Sequence, residues 1–411
     1  VSSSPFGRIL LVLIVPLLAL AACSDDDSPA APEKDPVCSI TPDTLDFGTI
    51  AVGDVRDLTF TVKNTGGGTL SGDISETCTH FSILAGGGAF SLDGGESVVV
   101  TVRFEPIDEG PHTCAVQTGL PSCGAVACLG EAQYAWEVVY SNAYQGWFDI
   151  WGTSASDIWA VGYDIIHYDG SSWTITTNPS DKTLYAVWGA GPDDIYAVGM
   201  DYFSHDGVII HYNGTSWGVV LDDVGAVGFL GVWGSAWNDV YAVGMGGSAY
   251  YYDGMSWSPF FIGGVISYAV WGTASDDVYI IGDTGRIQHN NGSMWEGMAS
   301  GISSALLGIW GNGIGDVFIT SNSPVILEYH GSTWETMQND GSGSGMEDIW
   351  GTSSTDLYCV GPAGRIMRYR GTNWSDMISP TTQKLMGIWG TSPTNIYAVG
   401  EDGVIVRYTG D

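Results

Sequence analysis

Seven Trp-Gly pairs recurring about every 37 to 45 residues, short alternating strand patterns, and a composition rich in Gly (59), Trp (17) and Tyr (20) but only 14% charged predict an all-β chain. At 411 residues it exceeds the roughly 250 to 300 at which one core stops growing, so two domains are expected. The pattern divides into a β-sandwich followed by a seven-bladed β-propeller.

The repeat comes first because it decides the fold. Its Trp-Gly pairs begin at Trp151, Trp188, Trp233, Trp271, Trp310, Trp350 and Trp389. After four variable residues comes an acid or amide, at Asp157, Asp194, Asp239, Asp277, Asp316, Asp356 and Asn395, and then a strand such as Ile195-Tyr196-Ala197-Val198-Gly199. A third strand follows, for example Gly207-Val208-Ile209-Ile210-His211-Tyr212, and a Gly turn leads to a fourth strand opened by Trp173, Trp217, Trp257, Trp295, Trp334 or Trp374. Helical repeats of similar period would need 3.6-residue apolar spacing, which does not occur.

The seventh repeat stops at Gly410-Asp411, before a fourth-strand Trp. Tyr134-Ala135-Trp136-Glu137-Val138-Val139-Tyr140 has the right aromatic and alternation, so Trp136 is expected to supply that outer strand and close the circle, removing an open edge. The consensus "IWGTSxxDIYAVGxxGxIxHYDGSSW" resembles bacterial extracellular propellers of the broad group with BNR/Asp-box and YVTN-type (WD40-like) repeats, over residues 134–411. It departs from the Asp-box in having Asp169-Gly170 and Asp253-Gly254 adjacent.

Residues 1–22 read as a signal peptide: Arg8, an apolar run from Ile9 to Leu20 too short for the roughly 20 residues that span a bilayer, then Leu20-Ala21-Ala22-Cys23. That ending resembles the bacterial lipobox, which implies a diacylglyceryl group on Cys23. Ser24 after the cysteine implies release to the outer membrane in diderm bacteria, and Ser24-Asp25-Asp26-Asp27 resembles surface-export tags, with a plain acidic spacer as the alternative. Residues 23–37 have nothing to bury and are expected to be a solvated tether.

From Cys38 to Gln133 about seven short runs, among them Leu58-Thr59-Phe60-Thr61-Val62, alternate between turns, predicting half-buried antiparallel strands in a sandwich. Asn64-Thr65-Gly66 and Phe104-Glu105-Pro106 carry a resemblance to immunoglobulin-like domains of the abnormal-spindle/hydin type. In an exported chain that resemblance implies a spacer. Cys38, Cys78, Cys114, Cys123 and Cys128 suit disulfides in an oxidising compartment, with at least one thiol left over and the connectivity open. Cys123 and Cys128 lack a matching Cys/His pair for zinc, and Cys359 reads as a buried apolar residue.

A net charge of −34, from 46 acidic and 12 basic residues, excludes nucleic acid as a partner. No nucleophile-base motif, zinc spacing or phosphate loop occurs in the repeats. The repeated Asp reads as turn capping and the repeated Trp as packing between blades; His167, His211 and His289 read as a strand face more than a metal ring, because their counterparts are Tyr251, Glu328, Arg368 and Arg407.

Function is expected where the repeat breaks. The constant turns fall on one face of the ring, and the variable face carries the candidate ligand residues Asp201, Tyr202, Phe203, His205 and Asp206, Asp222 and Asp223, and Asp340 leading to Glu347. Carboxylates, an aromatic surface and one His suit Ca2+ or sugar, with solvated loops that bind nothing as the alternative. The functional expectation is a non-enzymatic, lipid-anchored binding module of the outer membrane or cell surface, partnered by an envelope protein or polysaccharide. A carbohydrate-active enzyme using carboxylates such as Asp206 and Asp223, and an envelope assembly scaffold, are the alternatives.

Overall fold

The computed structural model describes residues 34–409, apart from 109, 134, 223, 224, 226 and 340–343. The expected signal peptide, Cys23 and most of the tether therefore lie outside the described residues, as do Asp223 and Asp340. The described chain is all-β, with only single 3-10 turns as helix, and none of these is long and apolar enough to cross a membrane.

The N-terminal unit holds a four-stranded sheet in the order Cys38–Thr41, Arg56–Asn64, Ser97–Phe104, Phe81–Ala85. A three-stranded sheet follows the order Thr44–Ala51, Ala125–Gln133, Gly110–Gln117, and Leu70–Ile74 pairs with Gly88–Leu92. Alternation builds its core: along Arg56–Asn64 and Ser97–Phe104 every second residue turns inward, so Phe60, Val62, Val100, Val102 and Phe104 bury fully against Phe47, Val116 and Val126. One expectation is corrected. Thr44–Ala51 and Ala125–Gln133 run parallel, which alternation cannot encode; the strands between them provide the long crossover that parallel pairing needs. Cys38–Cys123 and Cys78–Cys114 are disulfides, while Cys128 and Cys359 are free and buried.

Beyond Ala135 the chain folds into seven four-stranded antiparallel sheets. Sheet 1 runs Trp147–Ser154, Asp157–Gly162, Ile165–Tyr168, Trp173–Thr176 from inside to outside. Sheets 2 to 6 repeat this order from inner strands Thr183–Gly191, Phe229–Ala236, Ser267–Ala274, Leu306–Gly313 and Asp348–Ser353. Sheet 7 takes three strands from Leu385–Ser392 onward and its outermost from Trp136–Tyr140, which pairs with Ile405–Tyr408 through Trp136 opposite Tyr408. The inner strands pack against one another in cyclic order, the last against the first, which is a propeller.

The Trp-Gly pair explains the ring. Each Trp lies against the Gly of the next sheet so closely that a Cβ there would come within about 3 Å of the indole: Trp151 on Gly189, Trp188 on Gly234, Trp233 on Gly272, Trp271 on Gly311, Trp310 on Gly351, Trp350 on Gly390 and Trp389 on Gly152. Glycine is required at these positions for close approach. The N-terminal unit touches the ring beside sheets 6 and 7, where Arg370 pairs with Asp54 at 3.2 Å and Ala51 packs against the core of those sheets.

Candidate binding face of the propeller

Each inner strand begins on one end of the ring and runs to the Trp-Gly turn at the other. The repeated acid lies at the Trp-Gly end, where it is consumed by its own sheet. Asp157 accepts from the Thr153 hydroxyl, from Trp159 Nε1 at 3.1 Å and from His167 Nε2 at 2.7 Å. His211 donates to Asp194 at 2.6 Å and His289 to Asp277 at 2.7 Å; Arg368 donates to Asp356 at 2.9 Å, and Asn395 bonds Thr391 and Arg407. Asp239 accepts from Ser235, and Asp316 lies near Glu328, whose carboxyl is raised chiefly by burial.

These third-strand partners face an aromatic of the second strand. His167 stacks on Trp159 at 3.8 Å, His289 on Tyr279 at 4.2 Å, and the Arg368 guanidinium lies 4.9 Å over Tyr358. His167, His211 and His289 are thus held one per sheet and do not converge on a common point.

At the opposite end the inner strands surround a cavity of about 290 Å³. Its ring positions three before each Trp are Phe148, Tyr185, Leu230, Tyr268, Leu307, Glu347 and Met386. One position further in, five sheets have Ala or Gly, but sheets 1 and 6 have Asp149 and Asp348. Both residues are half-buried in the channel wall, and each carboxylate staples its own strand to the next sheet. Asp149 accepts from the N–H groups of Ile150 and Val187, both at 2.8 Å; Asp348 accepts from Ile349 at 2.8 Å and Ile388 at 3.0 Å. Burial above all pushes the Asp149 carboxyl up to about 8, helped by the charge of Asp348; burial likewise pushes Asp348 up to about 7.

An aromatic patch extends outward from this cavity over sheets 1 and 2. Phe148 lies 4.9 Å from Tyr185 and 6.3 Å from Tyr163, the latter in the turn between the second and third strands of sheet 1. Burial raises the Tyr185 hydroxyl, followed by the nearby Tyr163 and Tyr202. Tyr202 and Phe203 pack edge to face at 5.3 Å in the corresponding turn of sheet 2, with Phe203 88% exposed. Tyr144, 93% exposed, lies in the loop entering sheet 1.

That sheet 2 turn is rigidly built. Asp201 accepts from the N–H groups of Phe203 at 2.9 Å and Ser204 at 2.7 Å and from the Ser204 hydroxyl, so its carboxyl is held below its ordinary value, chiefly by the Ser204 N–H. Asp206 O accepts from Asp201 N–H at 3.0 Å, and His205 takes the left-handed conformation (φ 60°) that closes the turn.

The residues singled out in the sequence therefore separate. Asp201, Tyr202, Phe203, His205 and Asp206 share one turn. Asp222 pairs with the buried Lys182, and Glu347 pairs with Lys384 at 2.9 Å, nearer the channel and across it from that turn. Among the described residues no metal-sized cluster includes any of them. Sequence reasoning missed Phe148, Tyr163 and Tyr185; the available signal, for Phe148 and Tyr185, was aromatic residues in two successive repeats at a position that is Leu, Tyr, Glu or Met in the others.

No family model matches the chain, and no curated protein matches it in sequence. Solved structures do match in fold. YCF48 bound to D1 peptide is 17% identical with a TM-score of 0.56, covering 68% of this chain and 98% of that one. YCF48 from Cyanidioschyzon merolae is 15% identical with a TM-score of 0.55, covering 66% and 98%. The WD40 β-propeller domain of Doa1 is 11% identical with a TM-score of 0.56, covering 67% and 97%. At these identities the likeness is one of fold.

Proposed function

We propose that this chain is a non-enzymatic binding lipoprotein of the outer membrane or cell surface, in which an immunoglobulin-like stalk carries a seven-bladed propeller that docks a peptide segment of a protein partner. The observation that carries the docking reading is the aromatic patch beside the channel, in which exposed Tyr163, Tyr202 and Phe203 flank half-buried Phe148 and Tyr185. Large rigid aromatics in one exposed cluster are the side chains that dominate protein interfaces. The chain's charge of −34 favours a partner segment with basic residues beside apolar anchors. One protein of this fold, YCF48, is known bound to D1 peptide, which supports a peptide as ligand class here. The lipobox ending at Cys23 supports the tether.

The enzyme alternative needs two carboxylates free to exchange protons with substrate. Asp149 and Asp348 are a half-buried pair lining the channel, and each already accepts two backbone N–H bonds. That is the arrangement of a staple and not of an acid and base.

The test is a peptide array probed with the full chain and with a Tyr202→Ala, Phe203→Ala variant. Basic-aromatic peptides should bind and lose roughly thirtyfold in affinity in the variant, the effect of about 2 kcal/mol expected of a hot spot. Equal binding by both proteins would remove the patch from the proposal. Thermal stabilisation by a neutral polysaccharide, with no peptide bound, would favour the carbohydrate reading.

A further inference from the structure

We propose that His80, Asp108 and His112 form a binding site for a transition-metal dication of the Zn2+ class, in the N-terminal unit and independent of the propeller face. His80 immediately precedes the strand Phe81–Ala85 of the four-stranded sheet, and His112 lies in Gly110–Gln117 of the three-stranded sheet. Asp108 lies in the connection between Ser97–Phe104 and Gly110–Gln117. The site thus joins two sheets that share no backbone ladder.

The disulfide preorganises it. Cys78 is bonded to Cys114, and two residues along each segment His80 and His112 stand face to face, with ring centroids 3.8 Å apart. Both Nε2 atoms address the same carboxylate oxygen, Asp108 Oδ1, at 3.6 and 3.4 Å. Those separations are too long for hydrogen bonds but match the edge of a tetrahedral zinc site, roughly 3.3 Å for bonds of about 2.0–2.1 Å. His112 Nε2–H donates to the Asp108 carbonyl oxygen at 2.9 Å. Two imidazoles and a carboxylate form a ligand set suited to Zn2+, Cu2+ or Ni2+.

Both rings are largely enclosed while the Asp108 side chain is 62% exposed, so an ion has an entry path and room for a water as a further ligand. The neighbouring group Glu76, Cys78 and Cys114 offers no equivalent site, because its sulfurs are spent in the disulfide. Metal binding has three local costs. The stacked rings must part by on the order of 1 Å to sit on a common tetrahedral ion. The His80 proton must also move to Nδ1, giving up the 3.3 Å bond that Ile107 N–H donates there, and the His112 proton must leave Nε2, giving up its 2.9 Å bond to the Asp108 carbonyl.

The experiment uses the full chain with both disulfides intact, titrated with Zn2+ against a chromogenic chelator and with Co2+ followed by visible absorption. One ion per chain, four-coordinate Co2+ bands and a shift of the Ile107 amide resonance are expected. His80→Gln and His112→Gln should each weaken binding at least tenfold. Asp108→Asn, at an exposed side chain that leaves the fold undisturbed, should weaken it as well, while Glu137→Gln on the propeller's outer strand leaves it unchanged. No stoichiometric uptake by the native chain, or uptake by Asp108→Asn and by a His80→Gln, His112→Gln variant equal to that of the native chain, overturns the proposal.

Discussion

Gly189→Ala tests the physical basis of the ring. A Cβ at Gly189 would lie 2.5 and 2.8 Å from two carbons of Trp151 and 3.0 Å from the Asp194 carbonyl oxygen. The indole is wedged between two sheets and cannot swing away without opening the contact that it makes. Overpacking of this kind costs about 1–3 kcal/mol, or a fall of roughly 2–12 °C in Tm at about 2–4 °C per kcal/mol. Gly191 is the internal control, two residues along the same strand. A Cβ there meets nothing within 4 Å, its φ is not left-handed, and Ser154, Ala236 and Ala274 occupy the same repeat position.

Gly191→Ala should therefore be neutral or raise stability by about 0.4–1 kcal/mol through the unfolded state. Urea unfolding of both variants followed by Trp fluorescence gives the comparison. Trp151→Leu in the Gly189→Ala background should recover part of the loss, since the two residues are in contact and their effects cannot be additive. If Gly189→Ala and Gly191→Ala unfold with the same midpoint, the Trp-Gly pair is not a steric lock and its recurrence needs another cause.

Two further outcomes are expected. Because the folded Asp149 and Asp348 carboxyls titrate near 8 and 7 while unfolded carboxyls titrate near 3.8, their contribution is fully present below about pH 4 and is lost as pH rises toward 8. Propeller stability should fall across that window by at most roughly 1.4 kcal/mol per pH unit per group, and Asp149→Asn should flatten the slope of urea midpoint against pH. Replacing Cys38 and Cys123 by Ser opens a closure of 85 residues and should cost the N-terminal unit about 2–4 kcal/mol, read as a lower melting step with the propeller's step unmoved.

The ring was legible because its main contact is written twice in adjacent letters: a Trp to wedge outward and a Gly to receive the preceding sheet's wedge, seven times over. Trp136 was legible as the one outer-strand aromatic without a repeat of its own. The parallel pairing of Thr44–Ala51 with Ala125–Gln133 was not, since a half-buried strand has the same alternation in either direction. Asp201 to Asp206 was visible as a break in the repeat, but Asp149 and Asp348 were hidden inside it as variation at one position. His80 and His112 lie far apart in sequence with no spacing signature, and it is the packing of two sheets and the Cys78–Cys114 bond that bring them together.

The acidic residues separate two questions that composition merges. A surplus of carboxylates suggested cation or sugar chemistry on the variable face, yet Asp201 is saturated by its own turn, Asp222 and Glu347 by lysines, and the repeated Asp by Thr, Ser, His and Arg partners. These groups hold strands and loops in place, and their hydrogen-bonding capacity is used. What the variable face leaves unpartnered is apolar: Tyr144, Tyr163, Tyr202 and Phe203, all exposed, above a channel rim of Phe148 and Tyr185. A face whose polar groups are internally satisfied and whose aromatics are free gains most from a partner that buries apolar area. The surrounding negative charge then acts at longer range, speeding encounter with basic segments and repelling acidic ones. Raising ionic strength should accordingly slow peptide association at the Tyr202–Phe203 patch while leaving its dissociation rate nearly unchanged. An equal effect on both rates would mean that the charges lie within the contact and that the aromatic patch is not its core.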